Sequence, residues 1–245
     1  MEVKKKYELT NETIEFNGIT LHRIKALKDF SYVKEGDLGG WIEKEENLSQ
    51  IDDAWIGGNA RVFGDAQVYG NAEIFDNAMV YGNAKVYGNA EVYGKSKAYG
   101  DAQVYGRARV FGTAMIYGGA KVFGNAEVFG NAQVYGNAQV YKNAEVYGNA
   151  KVHGDAQVYG DAQVCGNAEI CGDAVVKNNE DYIVFKNFWS SGRYFTWTRS
   201  NNMFKVGCFY GTGKELIEKA YKDSERSGKE YKKIVRYVDS ILADE

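Results

Sequence analysis

Few residues in this sequence are of the types that carry catalysis. The chain has two histidines, His22 and His153, and three cysteines. A catalytic zinc site of the three-histidine type needs three such ligands, and two histidines far apart in the sequence do not supply them. No nucleophile-elbow, phosphate-loop or Cys-x-x-Cys spacing occurs. We therefore expect no catalytic residues, no metal and no cofactor, and His153 as a lone base is the alternative left open.

A second group of residues has the chemistry of ligand binding. Near the C-terminus, aromatic and basic side chains alternate along segments that are typical of a β-sheet. A nucleotide or a single-stranded nucleic acid can stack on such rings while basic groups pair with its phosphates. Packing in a core would explain many of the same aromatic residues without any ligand. The residues predicted to bind a ligand or a protein partner are Trp189, Arg193, Trp197, Arg199 and Lys205.

The elements that must position these groups follow from a six-residue repeat. The pattern [Asn/Asp]-Ala-x-Val-Tyr-Gly recurs without insertion from Asp53 to Gly172, which is 120 residues or 20 hexads. Fixed-period self-similarity indicates a solenoid. The residues at positions two and four point to the same side of an extended strand, so positions three and five face outward. Gly at position six, followed by Asn or Asp, suits a tight corner.

Each hexad suits one side of a three-sided coil with 18 residues per turn. In that register four of the five position-three glutamates fall in one column, whereas a flat two-sided roll would scatter them over opposite faces. Duplication of an 18-residue unit during evolution could produce the same alignment of glutamates, and this alternative stays open. We predict a triangular parallel β-helix over residues 53–176.

The three columns predict faces of different charge. The glutamate column, which includes Arg109, sums to −3, and the column that starts at Arg61 sums to +2. We predict that the acidic face of one rod packs on the basic, Met-bearing face of another, closing into a threefold ring. The alternative is a solvated surface that Arg109 partly neutralises. The residues assigned to this association are Glu73, Glu91, Glu127 and Glu145 on one face, and Arg61, Lys97, Lys151, Met79 and Met115 on the other.

Residues 1–52 are predicted to cap the first coil. Thr13–Phe16 and Ile19–Ile24 have the composition of short strands, and Asn17-Gly18 between them is a strong hairpin signal. The segments Ala26-Leu27-x-Asp29-Phe30, Val33-Lys34-x-Gly36, Gly39-Gly40-Trp41-Ile42 and Asn47-Leu48-Ser49-Gln50 follow.

With these motifs the chain resembles the YdcK-type β-solenoid family. The resemblance covers roughly the first 60 residues and the general repeat pattern of the solenoid. It implies a left-handed β-helix and carries over no catalytic residues. The hexads of this chain are more uniform than the irregular coils of that family.

Residues 177–245 are predicted to form a small α+β domain. Asp181–Trp189, Arg193–Arg199 and Met203–Tyr210 favour three antiparallel strands, and two helices follow. Thr212-x-x-Glu215 and Ser227-x-x-Glu230 each fit a helix-capping box. The second helix carries an apolar stripe that would pack on the sheet: Tyr231, Ile234, Val235, Val238, Ile241 and Leu242.

Composition narrows the class of protein. The formal net charge is −3, and no run approaches 18 consecutive apolar residues, so no membrane span is expected. The start, Met1 to Lys6, lacks the apolar core of a signal peptide. An odd number of cysteines fits a reducing cytosol.

Together these features favour a non-enzymatic, cytoplasmic scaffold that self-associates and presents its C-terminal module for recognition. Uniform hexad arrays with appended modules look like proteins of bacterial or phage origin. If the chain is phage-encoded, we expect an inhibitor of a host system that occludes a host protein or sequesters a host signalling molecule. The alternative is a trimeric enzyme similar to the hexapeptide-repeat acyltransferases, which use a histidine at a cleft between subunits. Here that histidine would be His153.

Overall fold

A computed structural model describes residues 5–243. It begins with an antiparallel hairpin of β1 (Tyr7–Phe16) and β2 (Ile19–Ala26). Asn17 and Gly18 form its turn with φ of 52° and 79°, as predicted for Asn-Gly. Strand β3 (Leu38–Ile42) pairs antiparallel with β2 on one side and parallel with the first coils on the other. The hairpin thus extends one sheet of the solenoid and covers its edge.

The solenoid strands are two residues long and occupy positions three and four of successive hexads. One extra strand follows the twentieth hexad. The strands are β4 Trp55–Ile56, β5 Arg61–Val62, β6 Gln67–Val68, β7 Glu73–Ile74, β8 Met79–Val80, β9 Lys85–Val86, β10 Glu91–Val92, β11 Lys97–Ala98, β12 Gln103–Val104, β13 Arg109–Val110, β14 Met115–Ile116, β15 Lys121–Val122, β16 Glu127–Val128, β17 Gln133–Val134, β18 Gln139–Val140, β19 Glu145–Val146, β20 Lys151–Val152, β21 Gln157–Val158, β22 Gln163–Val164, β23 Glu169–Ile170 and β24 Val175–Val176.

These strands form three parallel sheets, and each strand pairs with the strand three places further along. Glu91, for example, lies opposite Glu73 on one side and Arg109 on the other, each 18 residues away. The predicted triangular coil and its register are therefore confirmed. The flat two-sided roll is excluded, because it would place Glu73 and Glu91 on opposite faces.

The core of the coils consists of the small residue at position two and the branched residue at position four. Every such alanine and every such valine or isoleucine is buried. The corner glycines adopt positive φ, and a Cβ on Gly88 would lie 3.0 Å from the amide nitrogen of Gly106 in the next coil. A positive φ and the close approach of the neighbouring backbone both favour glycine at these corners, and the two corner residues that are not glycine, Asp76 and Lys142, also adopt positive φ, 61° and 63°.

Outside the core, the position-five rings stack along each column. Ring centroids one coil apart lie 4.8–5.0 Å from each other between Phe63 and Tyr135 on one column. The ladders starting at Tyr69 and Phe75 have the same spacing. Stacked cross-strand aromatic pairs stabilise a sheet by about 0.2–1 kcal/mol each.

Hydrogen-bond donors cap the first end of the solenoid, and hydrogen-bond acceptors cap the last end. Outside the strand pairs, the backbone hydrogen bonds between coils run from N–H groups of one coil to carbonyls of the next, so the first coil leaves mainly carbonyls free and the last coil leaves mainly N–H groups free. At the start, Lys6 Nζ donates to the carbonyl of Ala54 at 2.8 Å, and the Tyr7 hydroxyl donates to that of Leu48 at 2.8 Å. At the end, side-chain oxygens accept instead. The N–H of Glu169 donates to Thr196 Oγ1 at 2.9 Å.

The C-terminal module has four strands rather than the three predicted. They are β25 (Tyr182–Lys186), β26 (Tyr194–Thr198), β27 (Met203–Val206) and β28 (Phe209–Thr212), in antiparallel order. The predicted third strand, Met203–Tyr210, is wrong because Gly207 adopts φ of 58° and turns the chain back on itself.

Two helices complete the module: α1 (Gly213–Asp223) and α2 (Glu225–Ala243). The predicted capping box of Thr212 and Glu215 is confirmed. The second predicted box is wrong, because α2 begins earlier and Ser224 Oγ accepts the N–H of Ser227. Most of the apolar stripe packs on the sheet as predicted, with Tyr231, Val235 and Val238 buried against Phe195 and Trp197.

The described helices include none that is both long and apolar enough to cross a membrane. The predicted absence of a signal peptide rests on Met1 to Lys6, of which only Lys5 and Lys6 lie within the described residues.

Candidate interaction surfaces

The acidic face is the outer surface of the sheet that carries Glu73, Glu91, Arg109, Glu127 and Glu145. Arg109 lies at its centre, with Nη1 2.9 Å from Glu127 Oε1 and Nε 3.5 Å from Glu91 Oε2. Its remaining nitrogen, Nη2, donates to the Tyr93 hydroxyl at 2.6 Å. Arg109 thus partly neutralises the negative charge of Glu91 and Glu127. Glu73 and Glu145 form no salt bridge with another described residue.

The basic face is the outer surface of the neighbouring sheet with Met79, Lys97, Met115 and Lys151. In the described part of the chain neither Lys97 nor Lys151 takes part in a salt bridge. The two lysines and two methionines alternate in successive coils, except that Gln133 separates Met115 from Lys151. This face therefore offers two cations and two flexible apolar side chains.

Arg61, which was assigned to the same face, is covered by its own chain. Its guanidinium lies 4.6 Å from the ring centroid of Phe16 in the N-terminal hairpin. Its Nε is buried without a hydrogen-bond partner. The assignment of Arg61 to an open association face is therefore corrected. The hairpin folds over this end of the column because Phe16 packs on Phe63, the first ring of the adjacent ladder.

His153 lies at the far end of the aromatic ladder that starts at Phe63, beneath the C-terminal module. Its imidazole continues the aromatic ladder, 4.6 Å from the ring of Tyr135, and its Nε2 is 3.0 Å from Glu169 Oε1. Lys205 of the module approaches the same carboxylate at 3.6 Å. Burial alone would raise the pKa of Glu169, but the hydrogen bond with His153 and the charge of Lys205 outweigh it and lower that pKa. The cluster is a charged bridge between rod and module.

Cys171 follows His153 in the same column and is buried. Burial raises the pKa of its thiol to about 11, so the thiol stays protonated at neutral pH and is a poor nucleophile. Cys165, Cys171 and Cys208 are all free thiols. Within residues 5–243 no group of three or more His, Cys, Asp or Glu side chains is arranged to hold a metal ion.

The two tryptophans predicted to form a stacking platform are core residues. Trp197 is fully buried, and its Nε1 donates to Asn202 Oδ1 at 2.8 Å. Trp189 is 7% exposed and packs edge-on against Tyr231 of α2. Neither indole offers a face to a ligand, because the two helices cover this side of the sheet.

The three predicted basic residues lie in different surroundings. Lys205 donates to the carbonyl of Gly207 at 2.6 Å and faces Glu169. Arg199 donates to the carbonyl of Glu180 at 3.3 Å. Arg193 borders a cavity of about 310 Å³ between the loop that precedes β26, the β27–β28 turn and the two helices.

This cavity was not anticipated from the sequence, because its residues come from four separate segments. Arg193 shares it with Lys219, Asp223 and the serines 190, 191 and 227. The Arg193 guanidinium forms no salt bridge with a described residue. Hydroxyl groups and two cations around one carboxylate make the cavity suitable for an anionic group such as a phosphate or a carboxylate.

One family model matches the chain. The YdcK β-solenoid repeat model matches residues 54–70 and 102–118, both within the coils. The predicted YdcK-type repeat is thereby confirmed, and the chain carries repeats of that type. No curated protein matches the chain.

Proposed function

We propose that this chain is a non-enzymatic β-solenoid scaffold that self-associates by placing its acidic face on the basic face of another copy. The observation that carries the proposal is the segregation of charge between two neighbouring faces of an uninterrupted rod. Lys97 and Lys151 have no salt bridge within the described chain, and Glu73 and Glu145 have none either.

Such faces gain free energy when they meet. Two opposite charges about 4 Å apart attract by about 1 kcal/mol in water and by about 4 kcal/mol near a protein surface of lower effective dielectric. The half-buried methionines Met79 and Met115 add an adaptable apolar contact. Because the two faces differ, the interface is heterologous and generates a ring or a filament. We propose a closed ring, with three copies as the expected stoichiometry.

Charge reversal tests this association. The double variant Lys97→Glu, Lys151→Glu is expected to sediment as a monomer, because acidic residues would then face acidic residues. The matched control is Lys85→Glu, Lys121→Glu, which makes the same change on the third face of the rod. An unchanged assembly in the first variant, or equal loss in both, would contradict the proposal.

The C-terminal module is proposed to bind the anionic group of a protein or nucleotide-type ligand, with Arg193 as the principal contact. Support comes from the Arg193 guanidinium, which has no salt bridge within the described chain and borders a cavity that also contains Lys219 and serine hydroxyl groups. Arg193→Ala should abolish the chemical-shift changes that a nucleoside monophosphate causes in the module. Lys214→Ala, which removes a cation beside a different cavity, should leave them in place. Identical spectra with and without nucleotide would refute this part.

We also propose a cytoplasmic location, which agrees with three free cysteines. A phage-encoded inhibitor that occludes a host protein is one biological role that such a scaffold could serve. The acyltransferase-like alternative has one supporting feature, the hydrogen bond that orients His153 toward Glu169. Thiol release by the His153→Ala variant tests this alternative.

A further inference from the structure

The aromatic ladder beside the acidic face starts one coil late. Its rings are Phe75, Tyr93, Phe111, Phe129 and Tyr147, spaced by 4.8–5.0 Å. The residue in the same position one coil earlier is Gly57, which has no side chain. Among the described residues, Phe75 has a ring contact with Tyr93 and with no other ring. The face of Phe75 that points to the N-terminal end therefore carries no stacked ring from the described residues and borders a cavity.

The ladder that starts at Phe63 is covered at its N-terminal end. Its first ring, Phe63, is met by Phe16 of the N-terminal hairpin, with centroids 5.7 Å apart. The space beside Phe75 has no such cover. It forms a cavity of about 430 Å³, within the size range of small-molecule sites.

The walls of this cavity are suited to a flat ring. A Cβ placed on Gly57 would lie 3.9 Å from Phe75 Cβ and 3.8 Å from Trp55 Nε1, so the space begins at van der Waals distance from both. The Trp55 N–H has no hydrogen-bond acceptor among the described residues. At the rim, Tyr32 is 58% exposed and Leu38 is 53% exposed, although both are large apolar side chains.

The cavity is also electronegative. Glu73 and Asp37 line it, and neither forms a salt bridge with a described residue. Glu91 lies one coil further along the same column. Burial raises the pKa of Glu73, the Glu91 carboxylate adds to this effect, and the Tyr32 hydroxyl opposes it. A ligand cation here would meet two carboxylates that have no counter-ion among residues 5–243.

We propose that the space between Gly57 and Phe75 binds a small planar aromatic cation. Its ring stacks on Phe75 in the place that an aromatic residue takes in the other coils, and its positive group points toward Glu73 and Asp37. Offset stacking on an aromatic face and pairing with a carboxylate are independent contributions, so each can be removed separately.

The proposal is tested with benzamidine, and benzamide and benzoate serve as neutral and anionic probes of the same shape. The indole N–H resonance of Trp55 reports binding. Glu73 also belongs to the acidic face, so the titration is repeated in the Lys97→Glu, Lys151→Glu background, which separates this proposal from self-association. We expect saturable shifts with benzamidine in the millimolar range, weaker shifts with benzamide and none with benzoate.

Two pairs of variants complete the test. Gly57→Phe should fill the space and abolish binding, and Phe75→Leu should weaken it while the space stays apolar. Gly57 has an ordinary φ, so a side chain there is not strained. Glu73→Gln should weaken benzamidine binding about tenfold, which corresponds to 1.4 kcal/mol. Glu145→Gln, the same change near the far end of the column, should have no effect.

Three results would overturn the proposal. They are undiminished binding in a folded Gly57→Phe protein, equal binding of benzoate and benzamidine, or no saturable shift of the Trp55 resonance with any of the probes.

Discussion

The Nη1 atom of Arg109 lies 2.9 Å from Oε1 of Glu127, the residue directly opposite it in the next coil. This contact exists because residues 18 apart are neighbours in the sheet, so charges act along columns rather than along the chain. Exposed pairs of this kind contribute little singly, about 0.2–1 kcal/mol. Arg109 lies between two glutamates and so also reduces their mutual repulsion.

Arg109→Gln should therefore lower the free energy of unfolding by about 1 kcal/mol, with a larger loss at low salt because the remaining glutamates repel each other. Urea unfolding at two salt concentrations measures this. Lys121→Gln is the matched control, since Lys121 is a position-three cation on another face and has no salt bridge with a described residue. Equal losses in the two variants would argue against column electrostatics.

The corner glycines allow the cost of close packing to be measured apart from the cost of backbone strain. Gly88 and Gly166 both have positive φ, 74° and 67°, but a Cβ meets the next coil only at Gly88. Gly166→Ala should cost about 1–2 kcal/mol, the penalty of the left-handed region alone.

Gly88→Ala should cost at least about 1 kcal/mol more than Gly166→Ala, because its methyl group overlaps the Gly106 backbone. Chemical unfolding of both variants gives the difference. Equal destabilisation would mean that the coils separate easily, contrary to a tightly paired stack.

The stacked tyrosines predict a dependence of stability on alkaline pH. Burial raises the pKa of Tyr135 to about 12, and the neighbouring Tyr117, Glu169 and Cys171 act in the same direction. A phenol whose pKa is higher in the folded than in the unfolded state stabilises the fold fully below its unfolded pKa of 10.0. That stabilisation is lost as the pH rises from there through the folded pKa.

Stability should therefore fall between about pH 10 and about pH 12, and phenolate absorbance should appear at higher pH in the folded protein than in the urea-unfolded protein. Tyr135→Phe keeps the ring but removes its ionisation, so it should reduce the fall. Superimposable titrations of folded and unfolded protein would contradict this prediction.

His153 separates the scaffold from the acyltransferase-like alternative. His153→Ala should leave any acetyl-coenzyme A thiol release at the level of the unmodified protein. It should also lower the free energy of unfolding by about 1–2 kcal/mol, because the stack on Tyr135 and the hydrogen bond with Glu169 are both lost. His153→Tyr restores the residue type that prevails in this column. It should therefore recover the share of the free energy of unfolding that comes from stacking on Tyr135. Thiol release that depends on His153 would favour the enzyme.

The solenoid could be predicted in detail because its sequence repeats every six residues. Once Ala and Val are assigned to the inside, the spacing of glutamates places Glu73 beneath Glu91, and the structure has that register. The charge columns and the pairing of Arg109 follow from the same step.

The ends and the C-terminal module could not be predicted in this way, because they depend on contacts between segments that share no pattern. Lys6 and Tyr7 cap carbonyls more than 40 residues away. The alternation along β26 puts Phe195 and Trp197 on one face but does not say that the helices cover it. The extra strand arises from one positive φ at Gly207, which nothing in the surrounding composition distinguishes from a bulge.

The most direct test of the scaffold proposal is sedimentation equilibrium of the unmodified protein at micromolar concentration. We predict a species of three times the 27.3 kDa chain mass that dissociates as salt is raised to about 1 M, where charges are screened within about 3 Å. A single 27.3 kDa monomer across the whole concentration range would contradict the account.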